Sequence, residues 1–160
     1  MNRVMWIGAA LLLAACGSEP TDDELAADAW DAISGYESWG QADPWTGIQP
    51  SGRAHGAFVQ IWFDDVAEGA LGGTIPDGGM SVKENYDAAD ATEPNKVFVM
   101  QKIDGYDEAN GDWFYARYSP DGSVDVAGQG AITACADCHN TDTGVDRLLS
   151  QRDDPATTDE

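Results

Sequence analysis

The chain has 160 residues, with 29 acidic side chains against 8 basic ones and a formal charge of −21, which is enough chain for one domain with a core of its own. So negative a surface excludes nucleic acid and anionic membrane faces as partners, because both would repel it. A cationic partner or a freely solvated acidic surface remains.

Asn2-Arg3 followed by the apolar run Val4 to Leu13 has the form of an export signal, since the run is too short to span a bilayer comfortably. Residues 1–15 are therefore set aside as a signal peptide. Leu13-Ala14-Ala15-Cys16-Gly17 resembles the lipobox of bacterial lipoproteins, in which cleavage precedes a cysteine that then carries acyl groups. A lipid-modified Cys16 would anchor the domain more firmly than the single acyl group that binds only marginally. An ordinary signal peptide cut after a small-x-small site is the alternative. The expectation is a lipid-anchored, periplasm-facing protein of a bacterial cell envelope, on either membrane, with residues 16–20 as lipidated cysteine and linker.

Thr21-Asp22-Asp23-Glu24 reads as a capping box whose acidic residues suit the positive end of a helix dipole. It predicts a helix from Asp22 to Ser34, with Leu25, Ala29, Trp30 and Ile33 on one face and Gly35 as its stop. From Tyr36 to Gly52 the composition turns to Trp, Gly, Pro and Gln, which predicts a loop. Its Trp39 and Trp45 need an apolar surface to lie on, and loop-on-core packing accounts for either one more simply than a cofactor edge.

From His55 to Val126 the pattern is of successive strands. Gly56 to Phe63 alternates Val59, Ile61 and Phe63 with Phe58, Gln60 and Trp62. Asp64 to Glu68 fits a short helical turn and Gly69 to Gly79 a glycine-rich loop. Met80 to Asn85 is a strand carrying Lys83 and Glu84 on opposite faces. Val97 to Ile103 is the clearest strand, with Asp112 to Tyr118 as its hairpin partner across a turn-rich connection, and Ser123 to Val126 follows as a last short strand. Gly144 to Arg152 predicts a further helical turn or two, and residues 153–160 a disordered acidic tail. The fold class is α+β, a mainly antiparallel sheet with flanking helices, in one domain over residues 21–152.

The chemistry is carried by Cys135-Ala136-Asp137-Cys138-His139. In an exported protein, C-x-x-C-H reads as covalent attachment of one c-type haem, with two thiols for the vinyl groups and His139 for iron. There are three cysteines and two histidines. Cys16 goes to lipid and the other two to the motif, so none is left for a structural disulfide. A local Cys135–Cys138 disulfide is the rival reading, since export favours oxidation, and His139 directly after the second cysteine argues against it. A zinc site is weaker, because no second cysteine pair completes four ligands. Residues 140–160 contain no Met, His or Cys, so a sixth iron ligand must come from upstream, from His55, Met80, Met100, Lys83, Lys96 or Lys102. Each has a plainer role in packing or hydrogen bonding, and a five-coordinate iron is the default.

The order of motifs adds to this. Arg53-Ala54-His55-Gly56 runs into a strand. Ile75-Pro76-Asp77-Gly78 then precedes Ser81-Val82-Lys83-Glu84-Asn85, and Val99-Met100-Gln101-Lys102 leads to Gly105-Tyr106-Asp107. Gly111-Asp112-Trp113-Phe114-Tyr115 and the terminal C-x-x-C-H complete a series that, over about residues 50–140, resembles the cytochrome P-460 family with its cytochromes c′-beta. The resemblance implies a c-type haem with His139 as proximal ligand, an open distal side and, in dimeric relatives, a homodimer. Family members include nitric-oxide binders with an apolar distal pocket and hydroxylamine-oxidising enzymes with a lysine cross-linked to the porphyrin. Lys83 matches a lysine common in the Val-Lys-Glu branch of the family and is the cofactor-binding candidate, although beside Glu84 it reads equally as a surface ion pair. The oxidising enzymes also use a distal carboxylate, for which Glu84, Asp104, Asp107, Glu108 and Asp112 are the candidates. Two functions follow: electron transfer or small-gas binding, with a small diatomic ligand and a redox partner protein, or oxidation of a small nitrogen compound.

Overall fold

A computed structural model describes residues 19–53, 55–128, 135–140 and 146–148, apart from the side chains of residues 52 and 53. The signal segment, Cys16 and the acidic tail lie outside the described residues. One sheet of six antiparallel strands dominates, and its spatial order is that of the sequence: β1 (Gln49–Arg53), β2 (Gly56–Phe63), β3 (Met80–Tyr86), β4 (Lys96–Lys102), β5 (Trp113–Tyr118) and β6 (Val124–Ala127). Each strand pairs with its predecessor, so every connection joins neighbours, as an antiparallel meander allows. Two short helices, α1 (Asp22–Ala32) and α2 (Asp65–Glu68), flank the sheet, giving the expected α+β architecture. No helix among the described residues is long and apolar enough to cross a membrane.

α1 begins as its sequence predicts. The Glu24 N–H donates to Thr21 Oγ1 at 3.3 Å and the Thr21 N–H donates back to the Glu24 carboxylate at 2.9 Å, satisfying donors that no helical carbonyl reaches. The helix stops two residues before the expected Ser34, with Ile33 as its cap and Gly35 turning left-handed at φ 78°. Its inward face is Ala26, Ala29 and Ile33, with Leu25 and Trp30 at the margins. The small alanines let the helix lie close on Trp62, Val82, Val97, Val99, Phe114 and Tyr118, and the Tyr118 hydroxyl donates to the Ala26 carbonyl at 2.7 Å.

The strands divide their residues by the period of two. Val82 faces α1, and so does Glu84, which is 6% exposed and accepts hydrogen bonds from the Tyr36 and Tyr86 hydroxyls. Val59, Ile61, Phe63, Met100, Trp113 and Tyr115 build a second core on the opposite face, closed by Trp45, Ala67, Ile75, Ala136 and Leu148. The two tryptophans of the expected loop part company: Trp45 joins this second core, whereas Trp39 packs against the first beside Tyr36.

Two expectations are corrected. β1 lies partly inside the segment predicted as loop. Among the described residues it is an edge strand, paired only with β2, and an edge tolerates Pro50 and Gly52 where a central strand would not. Residues 146–148, expected in a helical turn, form a tight turn with Asp146 and Arg147 at φ 45° and 63°. The rest of that predicted segment, residues 144–145 and 149–152, is outside the described residues.

Candidate functional site

Strand register builds the floor of the site. Ile61, Lys83, Phe98, Arg117 and Val126 lie in one row across β2 to β6, and Ser81, Met100 and Tyr115 in the next. These residues line a pocket with an empty volume of about 630 Å³, walled on its other side by His55, Cys135, His139 and Leu148.

The C-x-x-C-H segment is helical over residues 135–139. On a helix, positions i, i+3 and i+4 share a face, which puts Cys135, Cys138 and His139 on one side of a single turn. Cys135 is half-buried in the pocket wall and Cys138 is exposed, and no disulfide joins them. Burial pushes the Cys135 thiol up from its ordinary pKa, against the opposing charge of Arg117. His139 is 4% exposed, and its Nδ1 lies 2.8 Å from the Arg147 carbonyl oxygen. A carbonyl only accepts, so the Nδ1 carries the proton and Nε2 keeps the lone pair.

That carbonyl is delivered by the left-handed turn at Asp146 and Arg147. Left-handed backbone is unfavourable for residues with a Cβ, and here three bonds hold it. The Lys102 ammonium meets the Asp146 carboxylate at 3.0 Å, the Ile75 N–H donates to it at 2.8 Å, and the Trp113 Nε1–H donates to the Asp146 carbonyl at 3.0 Å. Nothing in the composition of residues 140–150 signals this latch, because its partners come from β4, β5 and the loop before β3.

Burial dominates the titration of both imidazoles. It pushes His139 down to about 4, partly opposed by the Arg147 carbonyl. It pushes His55 down to about 2, with the charges of Lys83 and His139 adding to the effect. Both rings are therefore neutral near neutral pH, the state in which imidazole binds a metal.

Three of the proposed sixth ligands, His55, Lys83 and Met100, reach the pocket. The other three do not. Met80 packs under α1, Lys96 pairs with Asp125 at 2.7 Å, and Lys102 is engaged by Asp146. Lys83 and Glu84 do lie on opposite faces, so the alternative of a surface ion pair between them fails: Glu84 is buried under α1 with two tyrosines. None of the five carboxylate candidates is among the described residues lining the pocket. Besides Cys135 and His139, the groups there that can exchange or share protons are His55, Ser81, Lys83 and Tyr115.

The pocket holds two unmet polar groups. His55 Nδ1 and the Tyr115 hydroxyl are buried with no hydrogen-bond partner among the described residues. A mainly apolar cavity with the Cys135 thiol in its wall, the His139 imidazole beside it and the cations Lys83 and Arg117 in its lining suits a flat apolar macrocycle with an iron centre and carboxylate substituents. Among the described residues no group of three or more His, Cys, Asp or Glu side chains could hold a metal ion. A family model, that of cytochrome P460, matches residues 33–149. The chain belongs to the cytochrome P460 family. As a cytochrome P460 family member it is a haem-binding cytochrome, and the match takes in the whole sheet, the pocket and the C-x-x-C-H segment. No curated protein matches the sequence.

Proposed function

We propose that this cytochrome P460 family member is a membrane-anchored, extracytoplasmic mono-haem c-type cytochrome that transfers electrons or holds a small diatomic such as nitric oxide. Thioethers from Cys135 and Cys138 hold one haem, and His139 Nε2 is the proximal donor to its iron. Lipid on Cys16 tethers the domain to the periplasmic side of the cell envelope, and a redox partner protein exchanges electrons with it. The single observation that carries this reading is the fixed proximal histidine: a helical turn sets His139 beside the thiols, and the Arg147 carbonyl at 2.8 Å holds Nδ1 so that Nε2 is left for a metal. Haem, when bound, would supply a redox-active iron. The protein's own residues do the rest: the carbonyl raises the basicity of the imidazole, the aromatic and aliphatic floor excludes water, and Lys83 and Arg117 offset carboxylate charge.

The test is haem staining after denaturing electrophoresis of the full-length protein made in an exporting host. The stain should survive denaturation and vanish in a Cys135→Ala/Cys138→Ala variant. A stain lost on denaturation of the wild type would refute covalent attachment. Lys83 lines the same pocket, and this favours a second reading, oxidation of hydroxylamine or a related small nitrogen compound at a haem cross-linked to that lysine. The ferrous visible spectrum separates the two: an ordinary c-type spectrum rules out the cross-link, whereas a strongly red-shifted Soret band that reverts in Lys83→Met supports it.

A further inference from the structure

We propose that the end of the sheet carrying the β4–β5 connection and the start of α1 faces the membrane, and that the protein exchanging electrons at the neighbouring C-x-x-C-H edge is itself embedded in that membrane. This rests on the reading of Cys16 as the lipid-bearing residue and of Cys135, Cys138 and His139 as the haem site.

Two contacts fix the start of α1 at one end of the sheet. The Tyr106 hydroxyl donates to the Asp22 carboxylate at 2.7 Å, and Tyr106 belongs to the connection from β4 to β5. Gly128, directly after β6, lies against the same carboxylate, since a Cβ there would come 1.9 Å from Asp22 Cγ. In an antiparallel meander the end of β4, the start of β5 and the end of β6 lie at one end of the sheet. Residues 87–95, which join β3 to β4, lie at the other, one strand of 7 residues or about 23 Å away.

The tether is too short to reverse this arrangement. From Cys16 to Asp22 the chain spans at most about 22 Å when fully extended, whereas a domain of this length is roughly 35 Å across. With Cys16 held at the bilayer surface, the far end of the sheet cannot reach it. Lying on the helix side is unfavourable as well, because Asp23, Glu24, Asp28 and Asp31 are exposed along α1 and anionic headgroups repel them. Asp104 and Glu108 are exposed on the β4–β5 connection, and the same repulsion keeps the near end standing over a gap rather than entering the bilayer.

The haem motif lies at this end too. Asn110, in the β4–β5 connection, accepts a hydrogen bond from the Asn140 amide, and Asn140 directly follows His139. Asp137, Cys138 and Asn140 are exposed beside it. A freely diffusing protein as large as the domain does not fit a gap of at most about 22 Å, whereas a protein seated in the bilayer already lies beneath the motif. One electron passes between partner and haem, with no bond made or broken.

The experiment uses the lipidated holoprotein on phosphatidylcholine vesicles whose headgroups carry a nitroxide quencher. A fluorescent thiol label is placed at Ala109→Cys or at Ala89→Cys, exposed positions at the near and far ends. The Ala109→Cys label should be quenched strongly and the Ala89→Cys label little, and inserting about twenty Gly and Ser residues after Ser18 should make the two equal, because so long a flexible linker lets the domain turn over. A soluble basic cytochrome should reduce the vesicle-bound protein several-fold more slowly than the unlipidated Cys16→Ser protein, while ascorbate reduces both alike. Equal quenching without the insertion, stronger quenching of Ala89→Cys, a difference that survives the insertion, or equal rates with the soluble cytochrome overturns the proposal with the lipid anchor intact. A wild type that lacks acyl mass and stays off the vesicles overturns the anchor and the proposal together.

Discussion

Replacing Asp146 tests whether His139 is held by the turn that follows it. The carboxylate meets Lys102 Nζ at 3.0 Å, with only 12% and 9% of the two side chains exposed, and it accepts the Ile75 N–H at 2.8 Å. In Asp146→Ala the ammonium of Lys102 loses its counter-charge beside the Trp113 ring, 5.0 Å from its centre. Removing one partner of a buried pair costs about 3–5 kcal/mol. Lys102 retains some access to water, so the lower end applies. The Ile75 N–H, in a residue 1% exposed, adds about 1–3 kcal/mol if it is left unsatisfied. Alanine also tolerates left-handed backbone less well than aspartate does. The sum is a loss of about 4 kcal/mol, read as a shift of the guanidinium midpoint at constant slope.

A second readout separates this latch from a merely stabilising ion pair. If the latch aims the Arg147 carbonyl at His139, its loss makes the imidazole a poorer donor and raises the haem potential. The double variant Lys102→Met/Asp146→Asn should recover part of the stability, because removing both charges costs less than stranding one, but it should not restore the potential. An Asp146→Ala protein within about 1 kcal/mol of wild type, or one destabilised with an unchanged potential, would refute the reasoning.

The remaining predictions concern the other face and the buried phenols. Burial raises the pKa of Tyr36, Tyr86, Tyr115 and Tyr118 well above the ordinary phenol range, and Glu84 adds to it for the first two. Below pH about 10 these phenols hold their protons in both states. Above it the unfolded polypeptide releases them while the native protein keeps them, so stability falls as pH rises, by up to about 1.4 kcal/mol per pH unit for each phenol. Phenolate absorbance from these four should appear together with the loss of circular dichroism, and their independent titration in the folded protein would contradict the burial argument. Glu84→Ala strands the Tyr36 and Tyr86 hydroxyls beneath α1 and should cost about 2–4 kcal/mol. The haem spectrum should not change, because Glu84 lies on the side of β3 away from the pocket, and a spectral change would mean that the two faces are coupled.

Legibility from the sequence depends on how local each signal is. The capping box of α1, the alternation in β2, the hairpin of β4 with β5 and the helical C-x-x-C-H segment are encoded within a few residues, and the structure has them with boundaries moved by a residue or two. β1 is hidden because Gln49-Pro50-Ser51-Gly52 has the composition of a turn, and only its pairing with β2 makes it a strand. His55 reads as a residue at the edge of a strand with a hydrogen bond of its own. Its place in the same pocket as His139, with 6.0 Å between ring centres, depends on strand pairing that no local pattern records. The latch at Asp146 is illegible for the same reason, since its partners Ile75, Lys102 and Trp113 are far from it in sequence.

The adjacent pair Lys83-Glu84 shows how one local rule gives a correct placement while the charges suggest an incorrect interaction. Alternation along a strand sends neighbours to opposite faces, and that forbids the surface ion pair that the two charges invite when read as text. Each charge is instead handled on its own side. Glu84 takes two phenolic hydroxyls in a core that α1 seals, while Lys83 shares the pocket with His55, Phe98 and Arg117. The sheet therefore separates stability from chemistry: substitutions under α1 should move the unfolding midpoint, and substitutions in the Ile61-to-Val126 row should move the spectrum. Trp113 and Tyr115 alternate with Phe114 and Ala116 on β5, so a one-residue slip of this strand would exchange the two sets and damage both faces at once. β5 is consequently the strand whose register matters most, since it carries the Trp113 donor to the latch, the Tyr115 wall of the pocket and the Phe114 contact beneath the helix.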